Sequence, residues 1–278
     1  MSTFDLTLED GIAHLTLNRP DSFNSMTKEF WSDLPATVTE LSEGGEARVL
    51  VLSSTGKHFC AGMDLSVFGE SEDLSGKSEL EAGRAREVVR HLVASLQETF
   101  TSLERARMPV LAAIQGGCIG GAVDMVTACC SRYVTREAFF CIQEINIGMM
   151  ADVGTFPRLC HLMPEGLVRE LAYTGRRLSA DEALACGLVN KVYDDQEAMM
   201  DGVMGVAREI ASRTPLAVTG SKYMITYSRD HSVRDTLEHV QLWQSGMFQP
   251  ADMLEAMTAK VEKRPASFDN LGKIRKAL

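Results

Sequence analysis

Two short runs near the N-terminus, Phe4 to Leu8 and Ile12 to Leu17, alternate or run apolar on either side of Asp10-Gly11. Such runs around a pair that tolerates positive φ predict a β-hairpin. The polar break Asn18-Arg19-Pro20-Asp21-Ser22 ends it. From Thr27 the apolar residues Phe30, Trp31, Leu34 and Val38 recur at helical spacing. Val49 to Leu52 is a β-branched and leucine run of the kind buried in a sheet, closed by Ser53-Ser54-Thr55-Gly56. A long polar-rich helix is predicted over 79–106, with Val88, Leu92, Leu96, Phe100 and Leu103 on one stripe. Pro109 to Ile114 reads as another strand, a glycine-rich turn opens a helix near Ile119, and Tyr133–Thr135 and Phe139–Ile142 are short strands. Strand and helix thus alternate to about residue 195, which predicts an α/β core. Residues 197–212, 215–228, 233–247 and 250–262 then read as successive helices. The expected organisation is a core over 1–195 and a helical appendage over 196–278.

Composition narrows the function more than the fold. At 278 residues, 45% apolar and 24% charged, the chain is long enough to bury a substantial core. Its net charge of −10, spread along the chain, argues against a surface built for nucleic acid. The seven cysteines are odd in number and lack paired spacing, which favours buried thiols over a disulfide frame or a zinc site. No apolar stretch approaches the ~20 residues that span a bilayer. The N-terminus shows no leader pattern, and Lys276-Ala277-Leu278 only loosely resembles a Ser-Lys-Leu address, so cytoplasm is the expected location.

Three carboxylates carry the candidate chemistry: Asp124 after the turn 116-GGCIGGAVD-124, and Glu144 and Asp152 in 143-QEINIGMMADVG-154. The glycine spacing fits neither a dinucleotide fingerprint nor a phosphate loop. Glycines there either let a helix pack closely on a sheet or turn backbone amides toward a ligand. A second strand-end loop, 57-KHFCAGMDL-65, offers more amides at Ala61-Gly62. Amides from two such loops can hold one carbonyl oxygen while a neighbouring carbon loses its proton. Each acid also has an architectural reading, as a helix first-turn carboxylate or a cap. Among apolar neighbours, however, a carboxyl group holds its proton more tightly, which suits general acid–base work. His58 beside Cys60 lacks an orienting third group and is not read as a nucleophile pair. Lys57 and Arg19 are candidate phosphate contacts, or solvated surface charges.

Taken together, 15-LTLNRP-20, 57-KHFCAGMDL-65, 116-GGCIGGAVDMVTACCSRYVT-135 and 179-SADEALACGLVNKV-192 are specific, and the chain resembles the crotonase (enoyl-CoA hydratase/isomerase) superfamily over nearly its full length. The resemblance implies a spiral of ββα units with a C-terminal helical trimerisation module, assembled as a homotrimer or homohexamer. It implies an acyl-CoA thioester substrate, no metal or redox cofactor, and a thioester oxygen held by the amides of Ala61 and Gly121. Lys57, Cys60, Ala61, Gly62, Met63, Asp64 and Gly121 are the implied substrate-binding residues.

Hydratases of this family usually carry glutamates at the positions of Asp124 and Glu144. Here the first acid is the shorter Asp124, and a third, Asp152, appears in 151-ADVGTFPRL-159. That pattern, and the tail 249-QPADMLEAMTAKVEKRPASF-268, resemble the Δ3,5-Δ2,4-dienoyl-CoA isomerase subfamily. Glu144 and Asp152 are then the acid–base pair, with Asp152 expected at C2, Glu144 at C6 and Asp124 as a polar partner. Asn146 departs from the subfamily, where an acid is common. The rival expectations are a hydratase or Δ3-Δ2-enoyl-CoA isomerase, in which Asp152 is dispensable, and a non-catalytic RNA-binding relative.

Overall fold

The computed structural model describes residues 3–64, 66, 67 and 80–275. Leu65 of the second loop, residue 79 at the start of the expected long helix, and the C-terminal Lys276-Ala277-Leu278 lie outside them.

The hairpin forms as its pattern requires. Strands β1 (Phe4–Glu9) and β2 (Ile12–Leu17) pair antiparallel, and Asp10 and Gly11 between them take φ of 50° and 77°. After helix α1 (Lys28–Gly44) comes β3 (Val49–Ser54), buried along its whole length and paired parallel to β2. Such burial demands cover on both faces, and alternate residues supply it. Leu50 and Leu52 enter the main core with Leu15, Leu17 and Phe30, while Val49 and Val51 face the other side.

Two strands are then laid down per turn of chain. After α2 (Ala82–Arg105), β4 (Val110–Ile114) joins the large sheet and β5 (Gly117–Ile119) starts a small one. After α3 (Gly121–Thr127), β6 (Ser131–Thr135) and β7 (Phe139–Cys141) repeat the step. The six-stranded sheet has the order β1-β2-β3-β4-β6-β9 and the small one β5-β7-β8, where β8 is Leu178–Ser179 and β9 is Lys191–Tyr193. Parallel neighbours within each sheet make the path a spiral. Strict alternation breaks between β7 and β8, where α4 (Thr155–Leu162) and α5 (Glu165–Thr174) follow one another; α6 (Ala180–Ala185) leads to β9.

Four helices end the described chain: α7 (Gln196–Ala211), α8 (Pro215–Tyr227), α9 (Val233–Met247) and α10 (Pro250–Glu262). The expected boundary at 195 assigns α7 to the appendage, yet it lies on the large sheet. Its Met199, Val203, Ala207 and Ala211 cover Val49, Val51, Leu111 and Ala113. α8 is tied to the body by Lys222, whose Nζ donates to the carbonyls of Leu103, Ala106 and Met108 at the end of α2. α9 and α10 leave Leu237, Leu242, Leu254 and Val261 exposed. No helix among the described residues is long and apolar enough to cross a membrane.

Candidate active site

A cavity of about 670 Å³ opens where the two strand-end loops meet α1, α2 and the 143–153 loop. It brings Asp124, Glu144 and Asp152 together with Ala61, Gly62, Met63, Asp64 and Gly121. One wall is apolar: Trp31 of α1, Leu92, Val93 and Leu96 of α2, and Met149 and Val153. A hollow of about 890 Å³ beside α8 holds none of the three acids.

The two glycine turns are pressed together. Gly62 sits at φ 86°, and a Cβ there would lie 2.7 Å from the Ile119 carbonyl and 3.2 Å from the Gly121 amide. Gly120 takes φ 55° with ψ −125°, a conformation open to glycine alone, and a Cβ on it would come 3.3 Å from Glu144 Oε1. Close backbone approach, rather than sheet packing alone, is what these glycines provide.

The amides differ from expectation. Ala61 N–H donates to the Phe23 carbonyl at 3.0 Å and is therefore already engaged. Phe23 is turned toward it because Phe23 and Asn24 both adopt left-handed backbone, at φ 49° and 55°. The short parallel bridge from Met26 uses the Gly62 carbonyl and the Asp64 amide. That leaves the amides of Met63 and Gly121 without a hydrogen bond among the described residues. Gly121 opens α3, whose first amides have no intrahelical acceptor. Sequence spacing gives no sign of which amide in 61-AGMD-64 is spare, because the competing carbonyl comes from a distant turn.

Asp124 lies in the first turn of a helix that is buried at every residue, and its own exposure is 0%. Its Oδ1 accepts the Thr155 amide at 2.6 Å, while Oδ2 has no partner. Burial, then the nearby Glu144, raise its pKa to about 7 despite the Thr155 bond. Glu144 sits in a 3-10 turn, Gln143–Ile147, and its pKa is raised by burial and by Asp152. Asp152 is also raised, by burial. Its backbone carbonyl accepts from Gln97 Nε2 of α2 at 2.7 Å, which fixes this acid beside the apolar wall. No cation figures among the influences on any of the three acids.

The remaining sequence candidates lie around the site. Asp64 Oδ2 accepts from Ser25 Oγ at 2.8 Å and stands 3.8 Å from Arg19, a pairing that ties the two loops and occupies Arg19. Cys60 does not line the cavity: it is fully buried, its thiol donates to the Asn24 carbonyl, and burial pushes it up to about 12. Lys57 is exposed and outside the cavity lining. His58 makes no bond to Cys60; its Nδ1 accepts the Gly117 amide at 2.9 Å. Arg177, which the motifs did not bring forward, lines the cavity. Asn146 turns away, donating to Gln143 Oε1 and the Gly175 carbonyl. No group of His, Cys, Asp and Glu among the described residues is arranged to hold a metal ion.

A family model described as enoyl-CoA hydratase/isomerase matches residues 7–271. The chain is 41% identical over 254 residues to the mitochondrial Δ3,5-Δ2,4-dienoyl-CoA isomerase of Mus musculus, covering 91% of this chain and 77% of the relative. It is 38% identical over 263 residues to the peroxisomal Δ3,5-Δ2,4-dienoyl-CoA isomerase of Arabidopsis thaliana, covering 95% and 94%. A crystal structure of enoyl-CoA hydratase from Bacillus anthracis superposes with a TM-score of 0.86 at 29% identity, over 96% of this chain and 99% of that one. The compartments in the relatives' names overturn the cytoplasmic expectation, which had rested only on a missing leader pattern. The ββα spiral is the crotonase fold, and with the family model spanning most of its length the chain belongs to the enoyl-CoA hydratase/isomerase family.

Proposed function

We propose that the chain isomerises 3,5-dienoyl-CoA to 2,4-dienoyl-CoA. The observation that carries this reading is a pair of acids, Glu144 and Asp152, in one cavity with two spare amides and an apolar wall. The thioester oxygen accepts from Met63 N–H and Gly121 N–H, so that negative charge forming at that oxygen is met by fixed dipoles. One acid removes a proton from C2, the double bonds shift to C2–C3 and C4–C5, and the other acid delivers a proton to C6. Atoms and charge balance within the substrate and the two carboxyl groups.

The close approach of Glu144 Oε1 to the Gly120–Gly121 turn supports Glu144 as the group at C2, next to the held carbonyl. The tether of Asp152 to α2 supports Asp152 at C6, further along the chain. This order reverses the sequence expectation. Both acids have pKa values raised by burial, which suits carboxyl groups that take and give protons near neutral pH. The exposed apolar residues of α9 and α10 support assembly as a trimer or hexamer.

Ultraviolet monitoring with 3,5-octadienoyl-CoA tests the function, because a 2,4-diene conjugated with the thioester absorbs at longer wavelength. Wild type should produce that band and Asp152→Asn should not. Hydration of crotonyl-CoA with no dienoyl shift would favour the hydratase reading instead.

A further inference from the structure

The loop that carries Asp152 is short and runs between fixed points. Ala151 and Val153, on either side of the acid, are buried in the main core. The Thr155 amide, at the start of α4, is spent on Asp124. Between them Gly154 takes φ 131°, a left-handed conformation that favours glycine. A Cβ on Gly154 would collide with Arg158 Nη1, so the guanidinium fills the space that a side chain there would need.

Arg158 stands one turn into α4 and folds back over the helix start. A cation is out of place there, because the N-terminus is already the positive end of the helix dipole. Something must hold it. Its Nε and Nη2 both donate to Glu104 Oε2, at 3.3 and 3.1 Å, and Nη2 also donates to Thr101 Oγ1 at 3.1 Å. Both side chains of this ion pair are largely buried, at 11% and 17% exposure. The other Glu104 oxygen is taken by Arg229, in the turn after α8, which keeps the carboxylate from swinging away.

Gln97, Thr101 and Glu104 follow one another at intervals of four and three residues, so they share one face of α2. Gln97 holds the Asp152 carbonyl, and Thr101 in turn donates to the Gln97 carbonyl. The loop is thus fastened along one stripe of the helix that also supplies Leu92, Val93 and Leu96 to the cavity wall. Arg158 does not figure among the influences on the Asp152 carboxyl, so it acts on that acid through the backbone.

We infer that Arg158, anchored on Glu104 and Thr101, is a positioning residue for Asp152: it braces the 152–154 turn against α2 and keeps this acid at its end of the substrate. The inference rests on the isomerase reading above and extends it to three groups that do not line the cavity.

The test is Arg158→Gln, which removes the brace and leaves Glu104 paired with Arg229. With 3,5-octadienoyl-CoA, kcat should fall about tenfold while KM stays within about twofold, because a small misplacement of a reacting group costs rate rather than binding. Arg158→Lys keeps a cation for Glu104 and should recover most of the loss. Thr101→Val keeps the side-chain shape, removes one acceptor and should lower kcat severalfold. In deuterated water, the ratio of C2 exchange to isomerisation should shift as it does in Asp152→Asn, not as in Glu144→Gln; a general loss of structure would lower both reactions together. Without substrate, the Thr155 amide should exchange with solvent about tenfold faster in Arg158→Gln, with the amides of β3 unchanged.

A kcat within about twofold of wild type in both Arg158→Gln and Thr101→Val would overturn the inference. So would a loss read in KM, an unaltered exchange ratio, or equal acceleration of the Thr155 and β3 amides. If Arg158→Gln does not fold, Thr101→Val carries the same readouts. A wild type that leaves dienoyl thioesters unchanged would sink the isomerase reading, while the Thr155 comparison still decides whether Arg158 braces the loop.

Discussion

The three acids that line the cavity and Arg177, the one cation that lines it among the described residues, are held in place by different forces. Inside, three carboxyl groups are positioned by backbone: Asp124 by the Thr155 amide, Asp152 through its carbonyl on Gln97, Glu144 by a 3-10 turn. Arg177 is held instead by ring contacts that run from Phe23 through His58 to Phe139. The difference has a chemical reason. A cation beside the acids would favour their ionised forms and lower their pKa values, which would spoil them as proton carriers near neutral pH. The one cation that lines the cavity among the described residues, Arg177, is held on the Phe139 ring and does not figure among the influences on the three acids.

Removing an acid should break the interior most severely. Asp152→Asn and Glu144→Gln are each expected to lower kcat for dienoyl isomerisation by about 10²–10⁴-fold, read by the ultraviolet assay. Loss of an amide comes next: Met63→Pro removes one donor to the thioester oxygen without touching the Met26 bridge, and kcat should fall about 10²–10³-fold. Activity near wild type in that variant would return the assignment to another amide.

Smaller effects sharpen the contrast between the two ends. Asp124→Asn keeps an acceptor for the Thr155 amide and replaces a carboxyl that is protonated below about pH 7. The acidic limb of the kcat/KM profile should therefore stay where wild type has it, while only the region above about pH 7, where Asp124 ionises beside Glu144, should differ. The same group marks stability. Its folded pKa, about 7, lies above the ordinary 3.8, so the folded state binds the extra proton and wild type loses stability as pH rises between those values. Denaturation of wild type and Asp124→Asn should diverge there by up to about 1.4 kcal/mol per pH unit, in favour of the variant at high pH. A constant difference across that window would mean that the Asp124 carboxyl is not held protonated by burial.

Much of this was legible in the chain. The hairpin was written by Asp10-Gly11 between alternating runs, and the four C-terminal helices by apolar spacing between breaks at Thr214-Pro215 and Gln249-Pro250. The three acids stood out because glycine-bearing loops surround them. The helix pair α4–α5 did not, since Pro157 and Pro164 interrupt the periodicity that would announce it. Nor did the packing of α7 on the sheet, because its apolar stripe resembles those of the helices that follow. The spare amide escaped for a tertiary reason: Ala61 and Met63 look alike in sequence, and only the left-handed turn at Phe23 engages the first. The place of Arg177 escaped because it meets Phe139 only across the small sheet.

The central claim is that Glu144 works at C2 and Asp152 at C6. Incubating 3,5-octadienoyl-CoA in deuterated water with Asp152→Asn, and following C2 by NMR, tests it most directly. The account expects C2 protons to exchange for deuterium while no 2,4-dienoyl product forms, and expects no exchange with Glu144→Gln. Exchange that persists in Glu144→Gln and disappears in Asp152→Asn would contradict it.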